Sequence, residues 1–279
     1  MANTLRLLKH NLAHDIRLYR FSSRLIPLLG HDMLAGWDPI SRLSESFAAI
    51  GAFVRRHGMR VGFHPDHFTV LSTPREDVLA RSVADLERHV RMLEQMGLDE
   101  RAKLNVHIGG AYGDKNRTLE RFLRHAETLP ERIRSRLMLE NDDKTFTAAE
   151  TLAACEALGV PMVLDIHHHA VNPGGESVED LWPRILATWE GKGVPPKVHA
   201  SSPKSPSDPR GHADYLHVPD LVRFFRSVAG MTAELDVMIE AKMKDGALFR
   251  LMEELADVDG VTVTDGASIL FSADGERKD

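Results

Sequence analysis

Along the chain, apolar runs bounded by turn residues alternate with segments whose apolar positions recur at helical spacing. The runs predict strands over 15–22, 60–65, 103–108, 136–141, 160–168, 196–202 and 234–241. Helical spacing predicts helices over 40–57, 74–96, 116–128, 147–158, 178–190, 218–228 and 246–256, and residues 2–14 read as a further helix with no strand before it. Thr73 is placed to cap the second of these, with Pro74 at its first position and Glu76 three residues after the cap; Thr147 precedes Glu150 in the same way. Gly97, Gly159 and Gly230 close helices where left-handed backbone is wanted.

Strand and helix alternate seven times with connections too short for a separate domain, which predicts parallel strands joined by crossover helices. No glycine-rich phosphate loop follows the first strand, which counts against a dinucleotide-binding sheet. The pattern therefore predicts an α/β fold of the TIM (β/α)8 barrel type with seven strands in this chain, the first barrel strand lying upstream of Met1. One barrel domain is expected over 1–270, with 271–279 a tail. Residues 201–210, the one Ser/Pro-rich stretch, read as a loop.

Composition narrows the function. The 279 residues carry 35 Lys and Arg against 41 Asp and Glu, a net charge of −6, so a uniformly basic nucleic-acid surface is excluded while a local cationic groove or bound cations could still attract phosphate. A single cysteine, Cys155, rules out a disulfide within the chain and any CxxC site, and its setting in TLAACEALG buries it. The apolar runs are far below membrane-spanning length and residues 1–30 carry no secretion signal, so a cytoplasmic protein is expected. Histidine stands out, at 15 residues.

In a parallel barrel the reactive face lies at the carboxyl ends of the strands. Those ends carry His64, His107, Glu140, Asp165 with His168, His199 and Glu240. Any one of them alone reads as a hydrogen-bonded structural residue; six strands delivering imidazole or carboxylate to one rim point to divalent metals. A multinuclear site can clamp a phosphodiester and generate hydroxide at neutral pH. The run His167-His168-His169 is expected to alternate across a strand, so that one or two face the site. His10 and His14 are read as a solvated helix face; His57, His89, His125 and His217 as surface residues; Trp182 and Trp189 as core. Gly109-Gly110 reads as a tight turn or a place for close phosphate approach. Neither a GxSxG elbow nor an HExxH helix is present.

Eight strings then carry a resemblance: LYRFSS (18–23), FHPDHF (63–68), HIGGAYGDK (107–115), LENDDKT (139–145), LDIHHHAVNP (164–173), KVHASSPKS (197–205), GHADY (211–215) and IEAKMKD (239–245). Together they span nearly the whole chain, and the chain resembles the UV damage endonucleases, relatives of endonuclease IV and of the xylose-isomerase-like barrels. The resemblance implies a metal-dependent DNA-repair enzyme that nicks the backbone immediately 5′ of cyclobutane dimers and (6-4) photoproducts, and of abasic sites. It implies metal ligands at His64, His107, Glu140, Asp165, His168, His199, His212 and Glu240, with His31 as a further match and Glu140 bridging ions. His31 and His212 fall in expected loops. Glu140, Asp165, His199, Glu240 and Lys197 would carry the catalysis, Lys197 matching a lysine that can be carboxylated. The cofactor implied is Mn²⁺, two or three ions, with Zn²⁺, Mg²⁺ or Co²⁺ as alternatives.

The family's lesion probe, usually Gln with Tyr or Phe, falls on His67 and Phe68; His67 departs from the usual Gln, and Asp66 from a small residue. Tyr19, Arg20, Ser22 and Ser23 fit lesion or phosphate contacts, and Lys144 and Lys204 phosphate contacts. The partner implied is UV-damaged double-stranded DNA, with no membrane, no obligatory protein partner and a monomeric chain. The rival readings are a metal-dependent sugar isomerase or an abasic-site endonuclease on the same barrel, and a catalytically silent shortened form.

Overall fold

The computed structural model describes residues 1–34 and 36–272. Seven parallel strands form one sheet: β1 (Leu18–Phe21), β2 (Arg60–Phe63), β3 (Lys103–His107), β4 (Leu137–Glu140), β5 (Met162–Asp165), β6 (Lys197–Ala200) and β9 (Asp236–Ile239), in that order. Every expected strand is present. The helices are α1 (Ala2–Ala13), α2 (Pro39–Arg42), α3 (Ser44–Arg56), α4 (Glu76–Gln95), α5 (Lys115–Glu127), α6 (Glu131–Arg134), α7 (Ala148–Leu158), α8 (Ile166–Val171), α9 (Val178–Trp189), α10 (Val218–Val228) and α11 (Asp245–Ala256). Two antiparallel hairpins complete the chain, β7 (Pro203–Ser205) with β8 (Asp208–His212), and β10 (Val261–Asp265) with β11 (Ser268–Phe271).

The chain divides into two compact units. The first comprises residues 1–13, 17–139 and 154–161, and the second residues 14–16, 140–153 and 162 onward. In the first, β1 and β2 pair with Phe21 opposite Phe63, and β2 pairs β3 with Gly62 opposite Lys103. A Cβ at Gly62 would meet the Lys103 carbonyl oxygen at 2.5 Å, so only glycine lets these strands close up. The ladder continues from Leu104 N to Arg136 O and from Leu139 N to Pro161 O. Phe21, Phe47, Phe63, Leu86 and Phe122 are buried here. Helices α3 and α4 meet at close range, for a Cβ on Gly51 would stand 1.6 Å from the Met96 carbonyl oxygen. Arg55 reinforces the contact, donating from Nη1 to Met96 O at 2.6 Å and Gly97 O at 2.7 Å. Cys155 is buried in α7 with Sγ 3.7 Å from Pro161 O, and burial pushes its thiol up.

In the second unit, β5 and β6 align Asp165 with His199, and β6 aligns Ala200 with Ile239 of β9. Its apolar cluster joins Leu216, Leu221, Val222, Leu251 and Leu255, with Phe225 and Phe271 packed against it. Trp182 and Trp189 are buried as expected, their indole nitrogens donating to Thr232 Oγ1 and Met162 O, each at 2.6 Å.

Several local expectations need correction. Helix α4 starts at Glu76, not Pro74, because Thr73 spends its hydroxyl on Arg75 N in a turn before the helix. The Thr147–Glu150 box does form. Gly97 and Gly159 adopt φ of 65° and 64°, whereas Gly230 lacks a left-handed φ. The 40–57 helix breaks at Leu43. The 201–210 loop folds as the β7–β8 hairpin, and Phe271 ends β11 instead of starting a tail, whose residues 273–279 lie outside the described residues. No helix among the described residues is long and apolar enough to cross a membrane.

Candidate metal centre

The 160–168 strand stops at Asp165, and that corrects the reading of the histidine run. Asp165 accepts the backbone N–H of His168 at 2.7 Å and so caps α8, which places His167, His168 and His169 on a helical turn, not on alternate faces of a strand. The turn folds His168 back over Asp165. Its Nδ1 lies 3.0 Å from Asn141 O, and 3.6 Å from both Asp165 Oδ2 and Glu140 Oε1. A proton on Nδ1 donated to the Asn141 carbonyl leaves Nε2 as the lone pair for a ligand. His167 faces elsewhere, with Nδ1 2.6 Å from Ser201 Oγ and Nε2 2.7 Å from Pro209 O.

Asn141 extends the sheet beyond the end of β4. Its side-chain amide donates to Asp165 O at 3.0 Å and accepts from Asp165 N at 2.9 Å, locking the ends of β4 and β5 side by side. Glu140 is thereby held against Asp165. The β5–β6 register adds His199, fully buried, with Nδ1 3.2 Å from Glu140 Oε1 and 3.3 Å from Glu240 Oε1. Two triads result, Glu140–Asp165–His168 and Asp165–His199–Glu240; within each, ligand atoms lie no more than 4.8 Å apart. His212 stands beside them, its Nδ1 3.0 Å from Glu240 O and its ring 6.2 Å from that of His168. It ends β8 and is not in a loop.

The electrostatics of this cluster are those of a cation site. Burial pushes Asp165 well above the ordinary carboxylate range, with the neighbouring Glu140 and Glu240 charges adding to the rise against His168. Burial holds His199 down against the pull of the same two glutamates, and Lys197, buried two residues earlier on β6, also lowers it. His168 is raised, because Asp165 and Glu140 outweigh the burial that opposes them. Among the described residues the buried Asp165 Oδ2 accepts no hydrogen bond, a condition that costs stability unless a cation supplies the missing partner. Carboxylate and imidazole donors with no thiolate suit a hard to borderline divalent ion.

The remaining expected residues divide by unit. In the first, His64 and His107 follow and end β2 and β3 with rings 5.2 Å apart. His31 is exposed in the turn after β1, its Nδ1 accepting from Met33 N at 3.2 Å. Phe68 stands 70% exposed with the His67 ring 4.0 Å away, and His67 Nδ1 is 2.9 Å from Asp66 Oδ1. The exit of this loop is tied to α4, Thr69 donating to Asp85 at 2.7 Å and Val70 N to Ser82 Oγ at 2.9 Å. Tyr19 and Arg20 are half-buried on β1, and burial raises the Tyr19 phenol. Ser22 and Ser23 follow the strand, Ser22 Oγ accepting from Arg24 N at 3.2 Å. At Gly109, φ is 103°, and a Cβ would meet Ser72 Oγ at 2.9 Å. His89 is buried rather than on the surface, with Nδ1 2.8 Å from Asp85 O, and His125 is half-buried against Leu71 O. In the second unit, Lys144 is exposed beside the Asp142 turn, and Lys204 pairs with Asp208 at 3.4 Å. Asn141 and Asp142 were missed from sequence, although both lie in the LENDDKT string.

Comparison with known proteins places the chain in a family. Residues 1–272 match the UV-endonuclease UvdE family. A UV DNA damage endonuclease of Bacillus pumilus is 44% identical over 270 residues, covering 96% of this chain and 84% of its own. One from Bacillus velezensis is 42% identical over 275 residues, covering 98% and 85%. The crystal structure of SacUVDE superposes with a TM-score of 0.79 at 30% identity, over 91% of this chain and 85% of that one. Endonuclease IV from Thermus thermophilus, at 18% identity and a TM-score of 0.57 over 89% and 93%, shares the fold. The architecture is of the TIM-barrel type.

Proposed function

The chain belongs to the UV-endonuclease UvdE family, and from that premise we propose that it is a metal-dependent endodeoxyribonuclease nicking the DNA backbone 5′ of UV photoproducts, and also at abasic sites. The observation that carries the metal dependence is the buried Asp165 Oδ2 at the junction of two carboxylate–imidazole triads. In this reading Glu140, Asp165, His168, His199, His212 and Glu240 would hold divalent ions, two or three in all and Mn²⁺ foremost, and His64, His107 and His31 are further proposed ligands. Bound there, such ions supply the Lewis acidity that lowers the pKa of water and neutralises charge on the phosphate.

The chain's own residues do the rest. The Asn141 carbonyl, bonded to His168 Nδ1, orients that ring, and the Glu240 carbonyl does the same for His212. Lys197 sits buried beside His199 as a further catalytic group. Phe68, with His67 against it, wedges into the duplex at weakened base pairs. Tyr19, Arg20, Ser22 and Ser23 contact lesion or backbone, and Lys144 and Lys204 contact phosphate. The setting is cytoplasmic DNA, acted on by a monomer. A sugar isomerase on this barrel is favoured by fold alone, since the epimerase structures it superposes on share 12–19% identity. The test is nicking of supercoiled plasmid, irradiated against unirradiated, with Mn²⁺ or EDTA. Mn²⁺-dependent nicking confined to irradiated plasmid is expected; full-rate nicking in EDTA would sink the mechanism.

A further inference from the structure

Beyond Glu240 the chain makes a choice that local physics disfavours. Ala241 is buried, Lys242, Met243 and Lys244 are exposed, and α11 begins at Asp245. Lys244 occupies the position before the helix at φ 55° and ψ −125°. There its Cβ is strained by the left-handed backbone. It offers no side-chain acceptor to the first N–H groups of α11, so that Gly246 N turns to Asp245 Oδ1 at 3.1 Å instead, and its charge sits at the positive end of the helix dipole. Glycine would relieve the strain, and serine or aspartate would cap. Three local penalties at one residue mark a place where something other than stability selects the side chain.

The loop is also firmly placed. Lys242 N donates to Ala213 O at 3.1 Å, Met243 N to Asp214 O at 3.2 Å, and Lys244 N back to Ala241 O at 3.2 Å. Ala213 follows His212, whose ring is bonded to the Glu240 carbonyl, so the loop is anchored to the residues that frame the candidate metal centre. Among the described residues neither Lys242 nor Lys244 enters an ion pair, in a chain whose net charge is −6. Met243, 47% exposed between them, presents an adaptable apolar side chain.

We propose that Lys242 and Lys244 form a phosphodiester-binding site that grips the DNA strand beside the cut, with Met243 resting on the intervening sugar or base. This rests on the nuclease reading above. Each DNA strand carries a charge per about 3.4 Å of helix axis, and the turn over 242–244 keeps both exposed lysines close in the chain to Glu240, so their long side chains reach phosphates neighbouring the one at the centre.

Binding of irradiated and undamaged duplex, measured in EDTA across a salt series, tests the site without catalysis. Lys242→Ala and Lys244→Gly are each expected to lower affinity several-fold for both duplexes and to reduce the salt slope by about one. Lys244→Gly should also raise Tm, which separates a lost contact from a damaged fold. Lys9→Ala, on an exposed face of α1, serves as the control with unchanged slope. Wild-type binding with unaltered slopes and affinities in both variants would overturn this inference alone. A wild type that shows no salt-dependent DNA binding would overturn the nuclease reading with it.

Discussion

Asp165 and His168 are tied together twice: one Asp165 oxygen accepts the His168 backbone N–H at 2.7 Å, and the other stands 3.6 Å from the His168 ring nitrogen. The residue that stops the strand thus starts the helix and aims both side chains at one point. The buried charge this creates is stabilised by a cation and is a burden without one.

Replacing Asp165 separates those two states. Asp165→Asn keeps an oxygen for the cap, removes a carboxylate crowded by Glu140 and Glu240, and should raise the Tm of the metal-free protein. The wild type should gain about 2.7 kcal/mol from Mn²⁺ at a hundred times its Kd. Calorimetry with Mn²⁺ and with EDTA should show that gain largely lost in the variant; a variant that keeps all of it would remove Asp165 from the ligand set.

Phe68 is exposed and packs on little besides His67. Phe68→Ala should leave stability within about 0.5 kcal/mol of wild type. Nicking of irradiated plasmid should fall at least about tenfold, the scale of one lost base–aromatic contact. Equal nicking by both proteins would show that this side chain is not the probe.

The Asp85 carboxyl fixes an acid limb of stability. Burial works to raise it, but the hydrogen bonds from His89 and Thr69 and the Arg88 charge prevail, and it lies below the ordinary value. A lowered folded pKa stabilises the protein above the unfolded value of about 3.9 and loses that contribution as pH falls through the folded one. Tm measured from about pH 6 to 3 should therefore drop more steeply for wild type than for Asp85→Asn. Parallel curves would mean the pair contributes nothing.

The α3–α4 crossing tolerates no side chain at Gly51, where a Cβ would collide with backbone. Gly51→Ala should cost on the order of 3 kcal/mol in denaturant unfolding. A loss under about 0.5 kcal/mol would show that the two helices separate freely.

Much of this was legible because parallel strands are read by apolar runs and their ends by position. His64, His107, Glu140, Asp165, His199 and Glu240 all fall at or just past strand ends. What escaped depends on side chains reaching backbone. The DIHHHA stretch looks like strand until Asp165 is seen to cap it; Asn141 joins β4 to β5 through an amide no periodicity reports. His89 looked solvated because what covers it, the Phe63 ring of β2 at 4.8 Å, is supplied by the fold and not by the helix's own pattern. The Pro203–His212 hairpin carries turn residues that read as loop, and so His212 was matched by resemblance, not by strand-end logic.

The burial of Cys155 has a practical consequence. The chain's one thiol lies in α7 with its ionisation suppressed, so it stays silent toward maleimides in the folded protein. A cysteine introduced on the surface, as in Met243→Cys, becomes the only reactive handle. A single dye can then be placed on the loop after β9 without first removing the native cysteine, and its fluorescence would report the arrival of a duplex in real time.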